Sequence, residues 1–183
     1  MTDTTNPAER VRVVSWADHL EFATAAKLLS GLDFLRAMAR GDVPSAPMMD
    51  LVGLRLISAA PGETVFRLTP AEYHYNPMWT VHGGLYATML DSAAACAVHT
   101  TLPAGSGFST LDLSVRYLKA IRAETGPITA TGRVVHSGRQ VVLADARLED
   151  AAGTLLATAT ANCFVRRAPD AAKVTKEAIT TIE

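Results

Sequence analysis

The spacing of apolar residues predicts helices in the first quarter of the chain. Residues 15–40 carry an apolar stripe at helical spacing, which needs a surface to cover. Ser15 and Ser30 each precede an acidic residue by three positions, as helix-capping residues do, and Gly41 and Pro44 close the segment. We therefore expect a helical extension packed on the main domain or on a partner subunit. The stripe consists of Leu20, Ala23, Leu28, Leu32 and Leu35.

From about residue 48 the pattern changes to that of β-strands. Residues 111–117 alternate apolar and polar side chains, which is the period of a strand with one solvent-facing side. Short turn-like breaks such as Ser137-Gly138 separate the later strands and favour antiparallel hairpins. We expect two strands before residue 82 and four after residue 101. Five of these six strands can be given bounds, at residues 64–69, 111–117, 128–135, 140–149 and 154–165.

Between these two groups of strands lies a segment that is apolar on nearly every side. Residues 82–101 therefore predict a buried helix rather than a surface helix. The last strand carries small side chains at 157, 159, 161 and 163, which lets the helix lie close against the sheet. The predicted fold class is α+β, a curved antiparallel sheet wrapped around a long central helix. We divide the chain into a helical extension (1–46), the main domain (47–167) and a polar tail (168–183).

Composition and charge narrow the function. The 183 residues are 49% apolar and 19% charged, which is enough for one real core. A formal net charge of -1 argues against nucleic-acid binding. Neither a membrane span nor a secretion signal is visible, so we expect a soluble cytoplasmic protein. Cys96 and Cys163 are expected to be buried free thiols, and the histidines show no metal-ligand spacing, so no metal is predicted.

The stretch from Asn76 to Asp91 contains the candidate chemistry. His82-Gly83-Gly84 marks the start of the predicted helix, where backbone amides lack carbonyl partners and the helix dipole is positive. Two glycines leave these amides unshielded, which suits stabilisation of an oxyanion. The same glycines would also permit tight packing at a helix start, and the residues alone leave both interpretations open.

Asp91 is an acidic residue in the middle of the predicted buried helix. Such a carboxylate is either hydrogen-bonded for structural reasons or functional, and its combination with His-Gly-Gly favours function. Gly83 and Asp91 are eight residues apart, which is about 12 Å along a helix. Both must lie within about 3 Å of a reacting group to act on it. We therefore expect a site shared between two antiparallel helices across a two-fold axis, hence a dimer at least.

The Asn76…His82-Gly83-Gly84…Asp91 spacing resembles the PaaI-type hotdog thioesterases of the 4-hydroxybenzoyl-CoA thioesterase superfamily. The resemblance covers about residues 48–166. It implies a hotdog fold and hydrolysis of an acyl-CoA thioester at a dimer interface, commonly in a dimer of dimers. It implies no cofactor other than the coenzyme A of the substrate.

The resemblance also implies roles for individual residues. Asp91 matches the catalytic acid, acting as general base or nucleophile, and Gly83 the oxyanion amide, with Gly84 beside it. Asn76 matches the side chain that positions water or the thioester, and His82 the residue next to the oxyanion hole. Thr110 matches a hydroxyl that assists the water, with Ser109 as the alternative. Trp79 stands where many relatives carry glycine, and its ring would line or narrow the acyl pocket.

Several residues and functions stay open. Lys119, Arg122, Arg133 and Arg139 are candidates for the phosphates of coenzyme A, and Gly138-Arg139 at a predicted hairpin tip is the preferred site. The alternatives to a thioesterase are a non-catalytic acyl-CoA-binding protein and a hotdog hydratase or dehydratase. The acyl group is not specified by the sequence.

Overall fold

A computed structural model describes residues 10–168. Its helices are α1 (His19–Leu28), α2 (Gly31–Arg40), α3 (Pro47–Val52) and α4 (Gly83–His99). Its strands are β1 (Arg55–Ala60), β2 (Glu63–Leu68), β3 (Gly107–Tyr117), β4 (Ile128–Ser137), β5 (Val141–Asp150) and β6 (Leu155–Arg166). None of the helices within residues 10–168 is long and apolar enough to cross a membrane.

The strands form one curved antiparallel sheet in the order β1-β2-β4-β5-β6-β3. Helix α4 lies against the concave side, with nine buried residues along its length. The predicted order of two strands, a long buried helix and four strands is confirmed. The α+β fold class is also confirmed. The division of the chain into extension, domain and tail stays a prediction, and residues 169–183 of the expected tail lie outside the described residues.

The helix and the sheet approach most closely at Gly132 in β4. A Cβ atom there would overlap the backbone carbonyl of Ala93 in α4. Thr64 in β2 donates its hydroxyl to the same carbonyl at 2.8 Å, although that oxygen belongs to a residue in the middle of the helix. Ala157, Ala159, Ala161 and Cys163 on β6 are also buried against this layer, as predicted. Small side chains on two strands therefore let α4 settle onto the sheet.

The two N-terminal helices form within the predicted region 15–40, but the first one begins later than expected. Asp18, not Ser15, caps α1, because its carboxylate accepts from the Leu20 amide at 2.9 Å. Ser30 caps α2 as predicted and accepts from the Asp33 amide. Gly41 ends α2 in the left-handed conformation with a φ of 84°.

The expectation of strands from about residue 48 needs correction. Residues 47–52 form α3 rather than a strand, with Pro47 in its first turn and Gly53 ending it at a φ of 77°. Strand β1 then begins at Arg55.

Helix α2 packs against the end of α4, where the Gly31 amide donates to the Leu102 carbonyl at 3.0 Å.

Strand β3 forms one edge of the sheet and contains a β-bulge. Thr110 pairs with Cys163 and Asp112 with Asn162, so Leu111 is the extra residue. A bulge shifts the alternation of a strand by one position. Thr110 and Phe108 therefore join Leu113 on the half-buried side of the strand, whereas Leu111 is 58% exposed. The alternation predicts Leu111 and Leu113 on the same side of the strand, and the bulge makes this prediction wrong for Leu111.

Candidate active site

The half-buried Asp91 carboxylate lies between α4 and β3. The Thr110 hydroxyl donates to Asp91 Oδ1 at 2.9 Å. Among the residues that the structure describes, Oδ2 has no hydrogen-bond partner and the carboxylate has no ion pair. A carboxylate in this environment keeps one oxygen available to accept a proton. Asp91 and Thr110 are thus the predicted pair that the fold brings into direct contact.

An open groove runs beside this pair. It is formed by Ala87, Thr88 and Asp91 of α4 and by residues 110–113 of β3. Asp112 is the second acid of the groove, but both of its carboxylate oxygens accept from the Asn162 side-chain amide, at 3.1 and 3.0 Å. Asp91 therefore has the freer carboxylate. The groove lies along the edge of the sheet, where β3 has no neighbouring strand among residues 10–168.

The backbone amides at the start of α4 differ in their hydrogen bonds. The Gly84 amide donates to His82 Nδ1 at 2.9 Å, and the Leu85 amide donates to the His82 carbonyl at 2.9 Å. Within residues 10–168, the Gly83 amide has no hydrogen-bond partner. His82 is thus the N-cap of the helix, and Gly83 is the residue whose N–H can bind an oxyanion.

Tyr117 holds this helix start against the far end of β3. Its hydroxyl donates to the Gly83 carbonyl at 3.2 Å, and its ring meets the Tyr86 ring edge-on with centroids 5.5 Å apart. Sequence reasoning did not assign Tyr117 to the site, because the contact joins residues that are 34 positions apart. The Gly83 end of α4 is therefore anchored to one end of β3, and Asp91 contacts the other end through Thr110.

Asn76 organises the loop that leads to α4. Its side-chain oxygen accepts from the Met78 amide at 2.8 Å, and its side-chain nitrogen donates to the Thr80 hydroxyl at 3.1 Å. These contacts close a turn, so the Asn76 amide group is already engaged within the chain. Trp79 lies in the same turn with a φ of 60°, a conformation that favours glycine. Its ring is 71% exposed.

A mainly apolar cavity of about 400 Å³ lies between α4 and the N-terminal helices, and Phe66 of β2 and Phe108 of β3 complete its lining. Its floor is one face of α4, and its roof comes from helices α1, α2 and α3. Thr88 lines both this cavity and the Asp91 groove. Sequence reasoning missed the cavity, and of the apolar stripe predicted over residues 20–35 only Leu35 lines it. Leu20 and Leu28 are 61% and 73% exposed, so the prediction that the stripe covers a surface is wrong for these two residues. The exposed Trp79 is not among the lining residues.

Two histidines have structural roles, as predicted. His74 is buried, its Nδ1 accepts from the Ala71 amide at 3.0 Å, and its Nε2 donates to the Val52 carbonyl at 2.9 Å. Burial lowers the pKa of His74. His99 packs between the rings of Phe34 and Phe108 with centroids 5.6 and 4.9 Å away. Burial also lowers the pKa of His99.

The two cysteines are free, as expected. Cys96 lines the apolar cavity, and burial, assisted by the charges of Asp91 and Cys163, raises the pKa of Cys96 to about 12. Its thiol is therefore protonated at neutral pH and a poor nucleophile. Within residues 10–168, no three His, Cys, Asp or Glu side chains lie close enough together to hold a metal ion.

The candidates for coenzyme A binding are spread over the surface. Gly138 and Arg139 lie in the β4–β5 turn, and the Gly138 amide already donates to the Val141 carbonyl at 3.0 Å. Arg139 is exposed, whereas Arg133 pairs with Glu63 at 2.8 Å. Val141 and Ser109 both pair with Phe164, so this turn lies at the Thr110 end of β3. Ser109 is exposed on the opposite side of β3 from Thr110.

Comparison with known proteins agrees with the fold. The thioesterase superfamily model matches residues 78–157. Human acyl-coenzyme A thioesterase 13 is 30% identical over 105 residues, which are 57% of this chain and 74% of the relative. The structure of a phenylacetic acid degradation-related protein from Ralstonia eutropha is 30% identical with a TM-score of 0.65, over 71% of this chain and 98% of that one.

The E. coli PaaI protein from the phenylacetic acid degradation operon shares the fold. It superimposes with a TM-score of 0.63 at 23% identity and covers 74% of this chain and 94% of its own. The predicted resemblance is therefore confirmed. The chain belongs to the thioesterase superfamily and is a hotdog-fold thioester hydrolase.

Proposed function

We propose that the protein hydrolyses acyl-CoA thioesters to the free acid and coenzyme A. The observation that supports this most directly is the Asp91 carboxylate, held at Oδ1 by Thr110 and free at Oδ2 beside an open groove. The relative named acyl-coenzyme A thioesterase 13, at 30% identity, supports acyl-CoA as the substrate class. Coenzyme A enters only as part of the substrate, and the proposed reaction uses no other cofactor.

In the proposed reaction, Asp91 acts as the general base. A water molecule in the groove gives one proton to Asp91 Oδ2, and its oxygen adds to the thioester carbonyl carbon. The Thr110 hydroxyl donates to Oδ1, so its oxygen can accept from the same water and orient it. The tetrahedral intermediate then breaks its carbon–sulfur bond. The departing thiolate takes up the proton that Asp91 Oδ2 accepted from the water, and this transfer returns Asp91 to its ionised form.

The developing oxyanion is assigned to the Gly83 amide at the start of α4. This amide is free within the described chain, and the helix dipole adds partial positive charge there. Asp91 and Gly83 are about 12 Å apart along the same helix, so one subunit cannot apply both to a single carbonyl. The proposed site therefore combines Asp91 of one subunit with Gly83 of the partner subunit.

The edge strand β3 suits such a dimer. In the part of the chain that the structure describes, one side of this strand is unpaired, and Leu111 and Tyr117 are 58% and 55% exposed. Unpaired apolar edges are a liability that pairing with a second chain removes. Antiparallel pairing of two copies about the middle of β3 brings the Tyr117 end of one strand toward the Thr110 end of the other. Gly83 and Asp91, attached to these opposite ends, then approach each other.

The remaining predicted residues have supporting roles in this proposal. Asn76 fixes the turn before α4 and His82 caps the helix, so both position the Gly83 amide. The Gly84 amide supports the oxyanion site only through its bond to His82. Arg139 is the proposed contact for a phosphate of coenzyme A, because the β4–β5 turn lies at the Thr110 end of the sheet and its side chain is exposed.

Free-thiol release from a panel of acyl-CoAs tests the proposal. The wild type is expected to release coenzyme A, and Asp91→Asn to lose at least 100-fold in kcat, the lower end of a general-base contribution. Asp112→Asn removes the same charge from a neighbouring residue held by Asn162 and is expected to keep most of the rate. Each variant is first checked for wild-type oligomer size and melting temperature.

Other outcomes identify the alternative functions. Tight binding of acyl-CoA without thiol release would indicate a binding protein. Formation of an enoyl-CoA from a 3-hydroxyacyl-CoA would indicate a hydratase or dehydratase. Retention of full hydrolysis by Asp91→Asn would remove Asp91 from the mechanism.

A further inference from the structure

We propose that the cavity beneath the N-terminal helices is the acyl pocket and that it selects linear acyl chains of about eight to twelve carbons. This inference rests on the proposed acyl-CoA thioesterase activity. It assigns a substrate class to a cavity formed largely by residues outside 78–157, the part of the chain that the family model matches. Selectivity would then come from α1, α2 and α3.

The position of the cavity links it to the carboxylate. Thr88 lines both the cavity and the groove of Asp91, and Ser92 of the cavity directly follows Asp91 in α4. An acyl chain whose carbonyl lies beside Asp91 can therefore pass Thr88 and enter the cavity. Other residues on this face of α4 continue the path away from the carboxylate, namely Cys96 and His99.

The chemistry of the lining favours a hydrocarbon ligand. The hydroxyl groups of Thr88 and Ser92 donate to backbone carbonyls of their own helix, at 2.9 and 2.7 Å, so neither needs a polar group from the ligand. The roof adds apolar side chains, including Phe22 of α1 and Met38 of α2. A polar or charged acyl group would lose its hydration here and find few polar partners, chiefly the His99 ring, whereas an alkyl chain would bury apolar surface.

The dimensions indicate the length and shape of the ligand. From Thr88 to His99 the floor covers eleven residue steps, or about 16 Å along α4. At about 30 Å³ per non-hydrogen atom, a volume of about 400 Å³ holds on the order of a dozen such atoms. Spread over 16 Å, this volume is about 5 Å across, close to the roughly 4 Å separation of packed carbon atoms. A single extended chain fits better than a broad ring system.

Helix α1 is placed to determine the depth of the pocket. Phe22 meets Phe34 of α2 edge-on with ring centroids 5.1 Å apart, and Ala26 lies one turn further along the same face. Leu28 is on the outer face of this helix and is 73% exposed. Substitutions on the two faces therefore separate an effect on the cavity from an effect on the helix.

The test compares kcat/KM for butyryl-, hexanoyl-, decanoyl-, hexadecanoyl- and phenylacetyl-CoA. The wild type is expected to prefer decanoyl-CoA over both shorter and longer chains and over the aromatic substrate. Ala26→Phe, which fills the cavity, is expected to lower the decanoyl-to-butyryl ratio at least tenfold. Phe22→Ala, which enlarges the cavity, is expected to raise the hexadecanoyl-to-decanoyl ratio. Leu28→Phe is the matched control and should keep the wild-type profile.

The outcomes separate this inference from the proposed function. If the profile of chain lengths is the same in the wild type, Ala26→Phe and Phe22→Ala while Asp91-dependent hydrolysis persists, the cavity is not the acyl pocket and the thioesterase proposal stands. A preference for phenylacetyl-CoA over every linear substrate would overturn the assignment of a linear chain. If the wild type hydrolyses no acyl-CoA, the proposed function itself fails.

Discussion

Asp91 and Thr110 illustrate how residue-level chemistry depends on one irregularity in a strand. The bulge at Leu111 turns Thr110 toward α4, where its hydroxyl reaches the Asp91 carboxylate. Without the extra residue, Thr110 would share the side of Asp112, whose carboxylate pairs with Asn162 and not with α4. The position of this hydroxyl is therefore set by the backbone, and its effect on catalysis can be measured separately from the carboxylate itself.

Removing the Thr110 hydroxyl is expected to slow catalysis without unfolding the protein. Thr110→Val keeps the shape of the side chain but removes a hydrogen bond to a charged group, which is worth about 1.5–3 kcal/mol. A loss of roughly 10- to 100-fold in kcat is expected, because 1.4 kcal/mol corresponds to a factor of ten. Thr110→Ser should restore most of the rate. Steady-state kinetics on the best acyl-CoA checks both variants.

A larger loss in Ser109→Ala than in Thr110→Val would contradict this assignment. Ser109 was the alternative hydroxyl suggested by the resemblance, and the structure places it on the exposed side of β3. The sequence alone could not choose between these neighbours. A bulge leaves no clear mark in the alternation of apolar and polar residues, so the choice required the pairing of β3 with β6.

At the scale of elements, the periodicity of apolar residues was sufficient to predict the helices and strands whose burial pattern is regular. The apolar run after His82 predicted α4, and alternation predicted the later strands within a few residues of their ends. Periodicity did not predict the helix at residues 47–52, where α3 is only six residues long and has no buried residue. A helix this short shows too few turns for a stripe, and Pro47 and Gly53 were the usable signals. The cap of α1 was assigned to Ser15 and not to Asp18 because several polar residues precede this helix, and the sequence does not show which of them caps it.

The contact between α4 and the sheet gives a prediction for stability. Gly132→Ala places a Cβ atom against the Ala93 carbonyl in a closely packed layer, and overpacking of this kind costs about 1–3 kcal/mol. Gly107→Ala makes the same change in β3, where the nearest atom to the new Cβ would be 3.8 Å away. Thermal unfolding should show a lower Tm for Gly132→Ala than for Gly107→Ala. Equal melting temperatures would mean that helix and sheet are less tightly apposed than the structure shows.

At the scale of the whole molecule, the two halves of the proposed site lie at opposite ends of one edge strand. Tyr117 connects Gly83 to one end of β3, and Thr110 connects Asp91 to the other. The separation of Gly83 and Asp91 along one helix could be predicted from the sequence, because it needs only the rise per residue of a helix. The attachment of each half to β3 could not, since it depends on contacts between residues far apart in the chain.

The central claim is that hydrolysis takes place at a site formed by Asp91 of one subunit and Gly83 of the partner subunit. Gly83→Pro removes the proposed oxyanion donor at the first helical position, where proline is well tolerated. His82, with φ -60° and ψ 134°, already has a conformation compatible with a following proline. Asp91→Asn removes the base. Each variant alone should be nearly inactive while keeping the wild-type oligomer size.

The most direct measurement is the thiol-release activity of the two variants after they are unfolded together and refolded as mixed oligomers. In a mixed dimer, one of the two shared sites receives both Asp91 and Gly83 intact. Random pairing makes half of the dimers mixed, so about a quarter of the wild-type activity is expected from an equal mixture. Variants refolded separately and then combined are the control. Recovery to about a quarter supports the shared site, whereas a mixture as inactive as its components would contradict it.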